Sequence, residues 1–209
     1  MKIFWQKILQ SIMEDFWNKR YAEHQTVYGN MPNLFFKNFI DQQKPGALLL
    51  PAEGEGRNAL YAAARGWQVD AFDFSAEARK KTLSKAGEQH LTINYETKKI
   101  QDYSAGKLYD LVALIYVHTE PLVRKNFHAA LVESVKPGGF LILEAFSKSQ
   151  LAFKSGGPSD INMLFDTAEL NEDFKDLQVI QCEQLETELD EGAFHKGMAS
   201  VVRFVGLKQ

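Results

Sequence analysis

Apolar and polar positions alternate along this chain in two different periods. Ile3, Phe4, Ile8, Leu9, Ile12, Met13 and Phe16 recur at helical spacing, which predicts an amphipathic helix at the start. Residues 11–43 read as two helices around the loop "EHQTVYGNMPN", with Pro32 and Asn33 suited to open the second. "ALLL" (47–50) then predicts a buried strand, "RNALYAAARG" a helix with Gly66 at its C-terminal end, and "QVDAFDF" a second strand. Ser75 is placed to cap a helix running to about His90. "LTINY" reads as a third strand. "YDLVALIYV" reads as a fourth, continuously apolar as expected when helices cover both faces. "PLVRKNFHAALVESV" predicts a helix stopped by Pro137, and "GGFLILEAF" a fifth strand.

Five alternations of strand and helix imply a parallel, doubly wound α/β sheet. After them comes a long polar loop, "SKSQLAFKSGGPSDINM", and a short helix opened by Asp166 and Glu169 at capping-box spacing. "LQVIQCEQLETEL" and "MASVVRFVGLK", joined through "DEGAFHKG", predict a closing antiparallel hairpin. The expected architecture is therefore a Rossmann-like seven-stranded sheet. With no repeat, low-complexity tract or linker in view, residues 1–209 read as one domain.

Composition narrows the classes of function. The chain has 209 residues, 45% hydrophobic and 24% charged, with a formal net charge of −3. Without an excess of Lys and Arg, neither a nucleic-acid surface nor a membrane surface is expected. No apolar run approaches the ~18 residues that span a bilayer. The start, broken by Gln6, Lys7 and Gln10, does not read as a signal peptide. Cys182 is the only cysteine, so no internal disulfide is expected and a reducing, cytoplasmic setting is the default. Within "VIQCEQL" it reads as a half-buried strand residue rather than a nucleophile. His24, His90, His128 and the carboxylates show no metal-ligand spacing, so no metal is expected.

Candidate chemistry enters between the first two strands. Gly54-x-Gly56-x-x-Ala59 satisfies the dinucleotide fingerprint, where glycine lets backbone approach a ligand and the next helix offers unpaired N–H groups. Asp73 follows about 20 residues later at the end of the second strand, where a carboxylate can accept both ribose hydroxyls. Two ligands with an adenosine ribose fit this pattern: NAD and S-adenosylmethionine (SAM). A dehydrogenase fingerprint normally opens its domain and is followed by a substrate domain. Here helical chain precedes the turn, no substrate domain follows the fifth strand, and a hairpin closes the sheet. That combination favours SAM.

The chain resembles the class I SAM-dependent methyltransferases of the tellurite-resistance and thiopurine methyltransferase-like branch. The resemblance rests on "FWNKRY", "VYGNMPN", "AEGEGRNALYAA", "VDAFDFS", "YDLVALIYVH", "VKPGGFLILEAF" and "FHKGMASVVRFVGLK", taken together and in order. It implies an N-terminal helical lid (1–44) over a SAM-binding core (45–209), and a small-molecule acceptor of thiol or metalloid-oxyanion kind. Monomer and homodimer are both open. It places the cofactor against Ala52, Glu53, Gly54, Gly56 and Asn58 at the turn and against Asp73, Phe74 and Ser75 after the second strand. Lys99, Ile100 and Ile115 follow, and Trp17 and Tyr28 fold over from the lid. His118 is a candidate base or donor, or a strand-end structural bond. Arg124 and Arg20 are candidates to hold an anion. His195, in "FHKG", reaches the pocket mouth or shapes the hairpin.

Two departures from the family turn stand out. Leu50 occupies the place of its acid and Ala52 that of its first glycine. Glu53 is a candidate stand-in for the acid. A SAM-binding protein without turnover, and an NAD(P)-linked oxidoreductase, are the alternatives.

Overall fold

The computed structural model describes residues 16–24 and 26–209. The apolar positions from Ile3 to Met13 lie outside them. Residues 16–23 are helical (α1). Asn33 opens α2 (Leu34–Ile40) by accepting the Phe36 amide at 2.9 Å. Strands and helices then alternate as expected: β1 (Ala47–Pro51), α3 (Arg57–Ala63), β2 (Gln68–Asp73), α4 (Ala76–Glu88), β3 (Ile93–Thr97), β4 (Tyr109–Ile115), α5 (Pro121–Glu133) and β5 (Val135–Phe146). Ser75 caps α4 through the Ala78 amide. The capping box of Asp166 and Glu169 starts α6 (Thr167–Asp173), and β6 (Gln178–Asp190) and β7 (Lys196–Leu207) close the sheet.

The sheet order is β3-β2-β1-β4-β5-β7-β6. The first five strands in sequence run parallel, and β7 is antiparallel to β5 and β6. The apolar runs are continuous because each strand feeds two cores. Leu48, Leu50, Leu111 and Ile142 pack with Phe36, Ala59 and Leu60 on one face. Leu49, Val112, Leu141 and Leu143 pack with Phe127, Leu131 and Phe174 on the other. Each such side chain contributes roughly 1.5–3 kcal/mol. Leu50, where the family has its acid, is 1% exposed and belongs to the core.

Since α3 leaves β1 towards one face and α5 leaves β4 towards the other, the two strands part at their carboxyl ends and open a crevice. The hairpin extends the β4 side of the crevice. β6 and β7 pair from Gln178↔Leu207 to Asp190↔Lys196, so residues 191–195 project beyond the carboxyl end of β5.

Two element boundaries differ from expectation. Pro137 does not stop α5. The helix ends at Glu133, and Val135 already pairs with Tyr109. The proline lies inside β5, in the irregularity between the Tyr109 and Leu111 pairings, where its missing N–H leaves no ladder bond unmade. β4 ends at Ile115, two residues early, because Tyr116 turns out of the sheet at φ +56°. Among the described residues no helix is long and apolar enough to cross a membrane.

Candidate active site

A cavity of about 1110 Å³ fills the crevice, just above the roughly 300–1,000 Å³ usual for ligand pockets. One wall is the turn after β1 with the ends of β2 and β3. The other is the end of β4, Phe146, the polar loop around Gly156 and Met163, and the hairpin at His195. Phe16, Trp17, Arg20, Tyr21 and Tyr28 roof it.

The first wall is mostly backbone held in rare conformations. Ala52, Gly54 and Gly56 have φ of +48°, +60° and +79°. The Gly54 carbonyl accepts the hydroxyls of Tyr95 at 2.7 Å and Thr82 at 3.2 Å, which fixes the turn. A Cβ on Gly54 would come within 2.7 Å of the Tyr21 hydroxyl.

Three carboxylates crowd this turn. Glu53 accepts the Asn58 and Ala59 amides, each at 2.8 Å, and so caps α3 from outside the helix. Asp73 is buried and accepts the Ser75 amide at 2.8 Å and the Gly54 amide at 3.2 Å. Glu55 accepts the Val27 amide at 2.6 Å and the Lys81 ammonium at 2.8 Å, tying the segment before α2 to α4. Burial pushes Glu53 up to about 7 and Asp73 up to about 6, against the amide bonds that lower both.

The second wall is built from side chains. Its centre is Glu191, which accepts from Arg57 at 2.8 Å and Asn33 at 2.9 Å and faces His195 Nδ1 at 3.5 Å. Burial opposes its charge, yet His195 and Arg57 hold its carboxyl down at about 2. Glu144, buried in β5, accepts from Asn33, Tyr116 and Arg203. His118 spends both nitrogens on backbone. Nδ1 donates to the Met163 carbonyl at 2.8 Å and Nε2 accepts the Phe146 amide at 3.3 Å. Burial holds it neutral, with its pKa down at about 4.

Most of the expected site residues meet here. Trp17, Tyr28, Ala52, Glu53, Gly54, Asn58, Asp73, Phe74, Lys99, Ile100, Ile115, His118 and His195 all line the cavity. Three do not. Gly56 turns towards α4, where a Cβ would collide with Thr82. The Ser75 hydroxyl caps α4 and donates to Asn18. Arg124 points to α6, pairing with Asp173 at 3.2 Å and Glu169 at 3.6 Å, so it is not at hand to hold an anion.

Sequence reasoning missed Glu191, Tyr116 and Glu144. Two of them left a signal. Glu144 is the one charge in "GGFLILEAF", and Glu191 stands four residues before His195 in the hairpin turn. The positive φ of Tyr116 left none. Among the described residues no group of three or more His, Cys, Asp or Glu side chains is arranged to hold a metal ion.

This strand order, with an acid-bearing glycine turn at the switch point, is the fold of the class I SAM-dependent methyltransferases. S-adenosyl-L-methionine is the cofactor of that class. More particularly, the chain belongs to the TehB family: the family model described as "Tellurite resistance protein TehB" matches residues 9–207. Among solved structures it is similar to TehB from Haemophilus influenzae, with a TM-score of 0.71 and 19% identity, over 94% of this chain and 67% of that one. It is also similar to the N-methyltransferase NodS from Bradyrhizobium japonicum in complex with S-adenosyl-L-homocysteine (SAH), with a TM-score of 0.61 and 12% identity, over 90% and 86% of the two chains. At these identities the likeness shows the fold. A curated relative, the ubiquinone biosynthesis O-methyltransferase of Rickettsia akari, is 30% identical over 103 residues, which are 49% of this chain and 41% of that one. The chain spans less than half the length of the curated relatives it matches.

Proposed function

We propose that the protein transfers the methyl group of SAM to a small-molecule nucleophile of the thiol or metalloid-oxyanion kind. The observation that carries this reading is the place of Glu53. A dinucleotide would lay its pyrophosphate on the first amides of α3. Those amides already bond the Glu53 carboxylate, and Asp73 and Glu55 stand beside it. An anionic bridge would be repelled there. A ligand with a diol, an ammonium and a sulfonium instead supplies the donors and positive charge that two ionisable, desolvated carboxylates lack.

The residues fit that cofactor as follows. Asp73 accepts the ribose hydroxyls, Glu53 faces the cationic tail in place of the missing acid, and Phe74, Lys99 and Ile100 bracket the base. Trp17, Tyr21 and Tyr28 act as a lid from residues 1–44 over the 45–209 core. When bound, SAM supplies a methyl group on a positively charged sulfur and needs no activation from the protein. The chain's own work is then to orient an acceptor and to exclude water. The family's name supports a metalloid acceptor, and the O-methyltransferase relatives support a hydroxyl. Cys182 as the single cysteine goes with action in a reducing cytoplasm.

Calorimetric titration with SAM, SAH and NAD tests the proposal. Micromolar binding of the first two and none of NAD is expected. Binding of none of them would leave a turn that has lost its cofactor. Binding of NAD alone would make the protein an oxidoreductase.

A further inference from the structure

The roof of the cavity is built from α1 and from residues 26–30. Trp17, Arg20, Tyr21 and Tyr28 face the cavity from it. The apolar seam that seats it is small. Tyr21 and Val27 pack on Ala78 of α4, with Trp17, Tyr28 and Phe194 at the margin. A segment with few buried apolar contacts opens at low cost in free energy, so polar ties decide how long it stays shut.

Those ties are unequal. The Asn18 side chain accepts from the Ser75 hydroxyl at 2.6 Å, the Tyr28 carbonyl from Arg57 at 3.3 Å, and the Asn30 side chain from Lys85 at 3.2 Å, the last of them exposed. The tie at Glu55 differs in kind. Its side chain is 6% exposed, and both oxygens are engaged: one accepts the Val27 amide at 2.6 Å, the other the Lys81 ammonium at 2.8 Å. The same ammonium donates to the His24 carbonyl. One ion pair thus grips the roof backbone at residues 24 and 27. Hydrogen bonds to charged groups are the stronger kind, and burial limits their screening.

Glu55 also belongs to the turn that receives the cofactor. It stands between Gly54 and Gly56, both at positive φ, in a turn fixed by Tyr95, Thr82 and Asp73. Of the three carboxylates there, Glu53 and Asp73 have no cation bonded to them among the described residues. Glu55 has Lys81. Two are left for a ligand, and the third is taken up by the roof. We infer that the Glu55–Lys81 pair is a latch that holds the roof closed over the cofactor. The two residues set how long SAM or SAH stays in the site, as positioning residues acting through the roof. This rests on the SAM reading above.

A latch acts on release, because a ligand under a closed roof leaves only when the roof lifts. Lys81→Met separates this from a direct effect of charge, since the two predict opposite signs. If Lys81 acted by its field alone, removing a positive charge beside a cationic cofactor would slow the release of SAM. It would change little for SAH, whose sulfur is uncharged. If Lys81 latches the roof, both ligands leave faster.

The test is stopped-flow binding of SAM and of SAH to the full chain, read by tryptophan fluorescence with Trp17 as the reporter in the roof. The wild type, Lys81→Met, Glu55→Gln and the double variant are compared. Each single variant is expected to release both ligands about tenfold faster, with an association rate that is not lowered. The double variant is expected to match the faster single within about twofold, because both changes break one interaction. A further readout needs no variant. In the wild type, saturating SAH is expected to slow hydrogen exchange at the Val27 amide by about tenfold or more. Slower or unchanged release of SAM from Lys81→Met, single effects that multiply in the double variant, or a Val27 amide indifferent to SAH would each overturn the latch. In those cases SAH still binds. A wild type that binds neither ligand overturns the SAM reading itself, and this inference with it.

Discussion

The two walls of the cavity hold charge in opposite ways. On the cofactor wall, Glu53 and Asp73 hang on backbone amides with no cation bonded to either among the described residues, and burial lifts both towards neutrality. On the acceptor wall, Glu191 and Glu144 are locked to arginines, and the histidines are pushed towards their neutral forms. The carboxylates of the first wall gain from any ligand that brings donors and positive charge. On the second the buried carboxylates are paired within the protein, and Arg57 and Glu120 line the cavity among aromatic rings. The first wall suits the proposed cofactor, whose ammonium and sulfonium would face its carboxylates.

The largest expected effect separates structure from chemistry. Arg124→Ala leaves Asp173 and His128 on a half-closed network and should cost about 3–5 kcal/mol of stability, read from denaturant unfolding. Turnover per folded molecule should be unchanged, because the side chain faces α6. A selective loss of turnover would return Arg124 to the acceptor wall. Asp73→Ala should weaken SAM binding by roughly 1–3 kcal/mol, read by calorimetry. Unchanged affinity would remove it from the ribose role.

Glu53→Gln should show a trade. A glutamate near 7 in the fold and near 4.5 when unfolded carries a proton in the folded state alone between those values. Its favourable contribution is therefore present at low pH and lost as the pH rises through 7. The glutamine variant should unfold later than the wild type at pH 8, by roughly 1–2 kcal/mol, with little change at pH 5. It should also bind SAM more weakly. His118→Ala should be the mildest, costing about 1–2 kcal/mol for its two backbone bonds while sparing SAM affinity. The wild type loses stability through this residue as the pH falls from 6.5 towards 4, since only the unfolded chain then takes the proton. Thermal melts across that range should be flatter for the variant.

The walls also differ in how far the sequence reveals them. The alternation of strands and helices, the closing hairpin, the caps at Asn33, Ser75 and Asp166, and nearly all of the cofactor wall follow from contiguous stretches, because a glycine turn and a strand end are local features. Local pattern identifies the turns that hold Gly56 and Ser75, but which way Gly56 and the Ser75 hydroxyl face depends on the packing of α4, which it does not encode. Pro137 misled because pairing with Tyr109 ends the helix before the proline is reached. The acceptor wall joins residues 33, 57, 116, 144, 191 and 195, which only the closed hairpin brings together. Arg124 looked accessible in "PLVRKNF" because its partner Asp173 lies on a different helix.

The most direct test of the cofactor wall is SAH affinity of the wild type by calorimetry from pH 5.5 to 7.5, in buffers of different ionisation heat. If Glu53 and Asp73 bind the ligand as carboxylates, affinity climbs about tenfold or more as the pH passes 6 and 7, and protons are released on binding at the acid end. An affinity indifferent to pH, with no proton release, would show that neither carboxylate receives the cofactor.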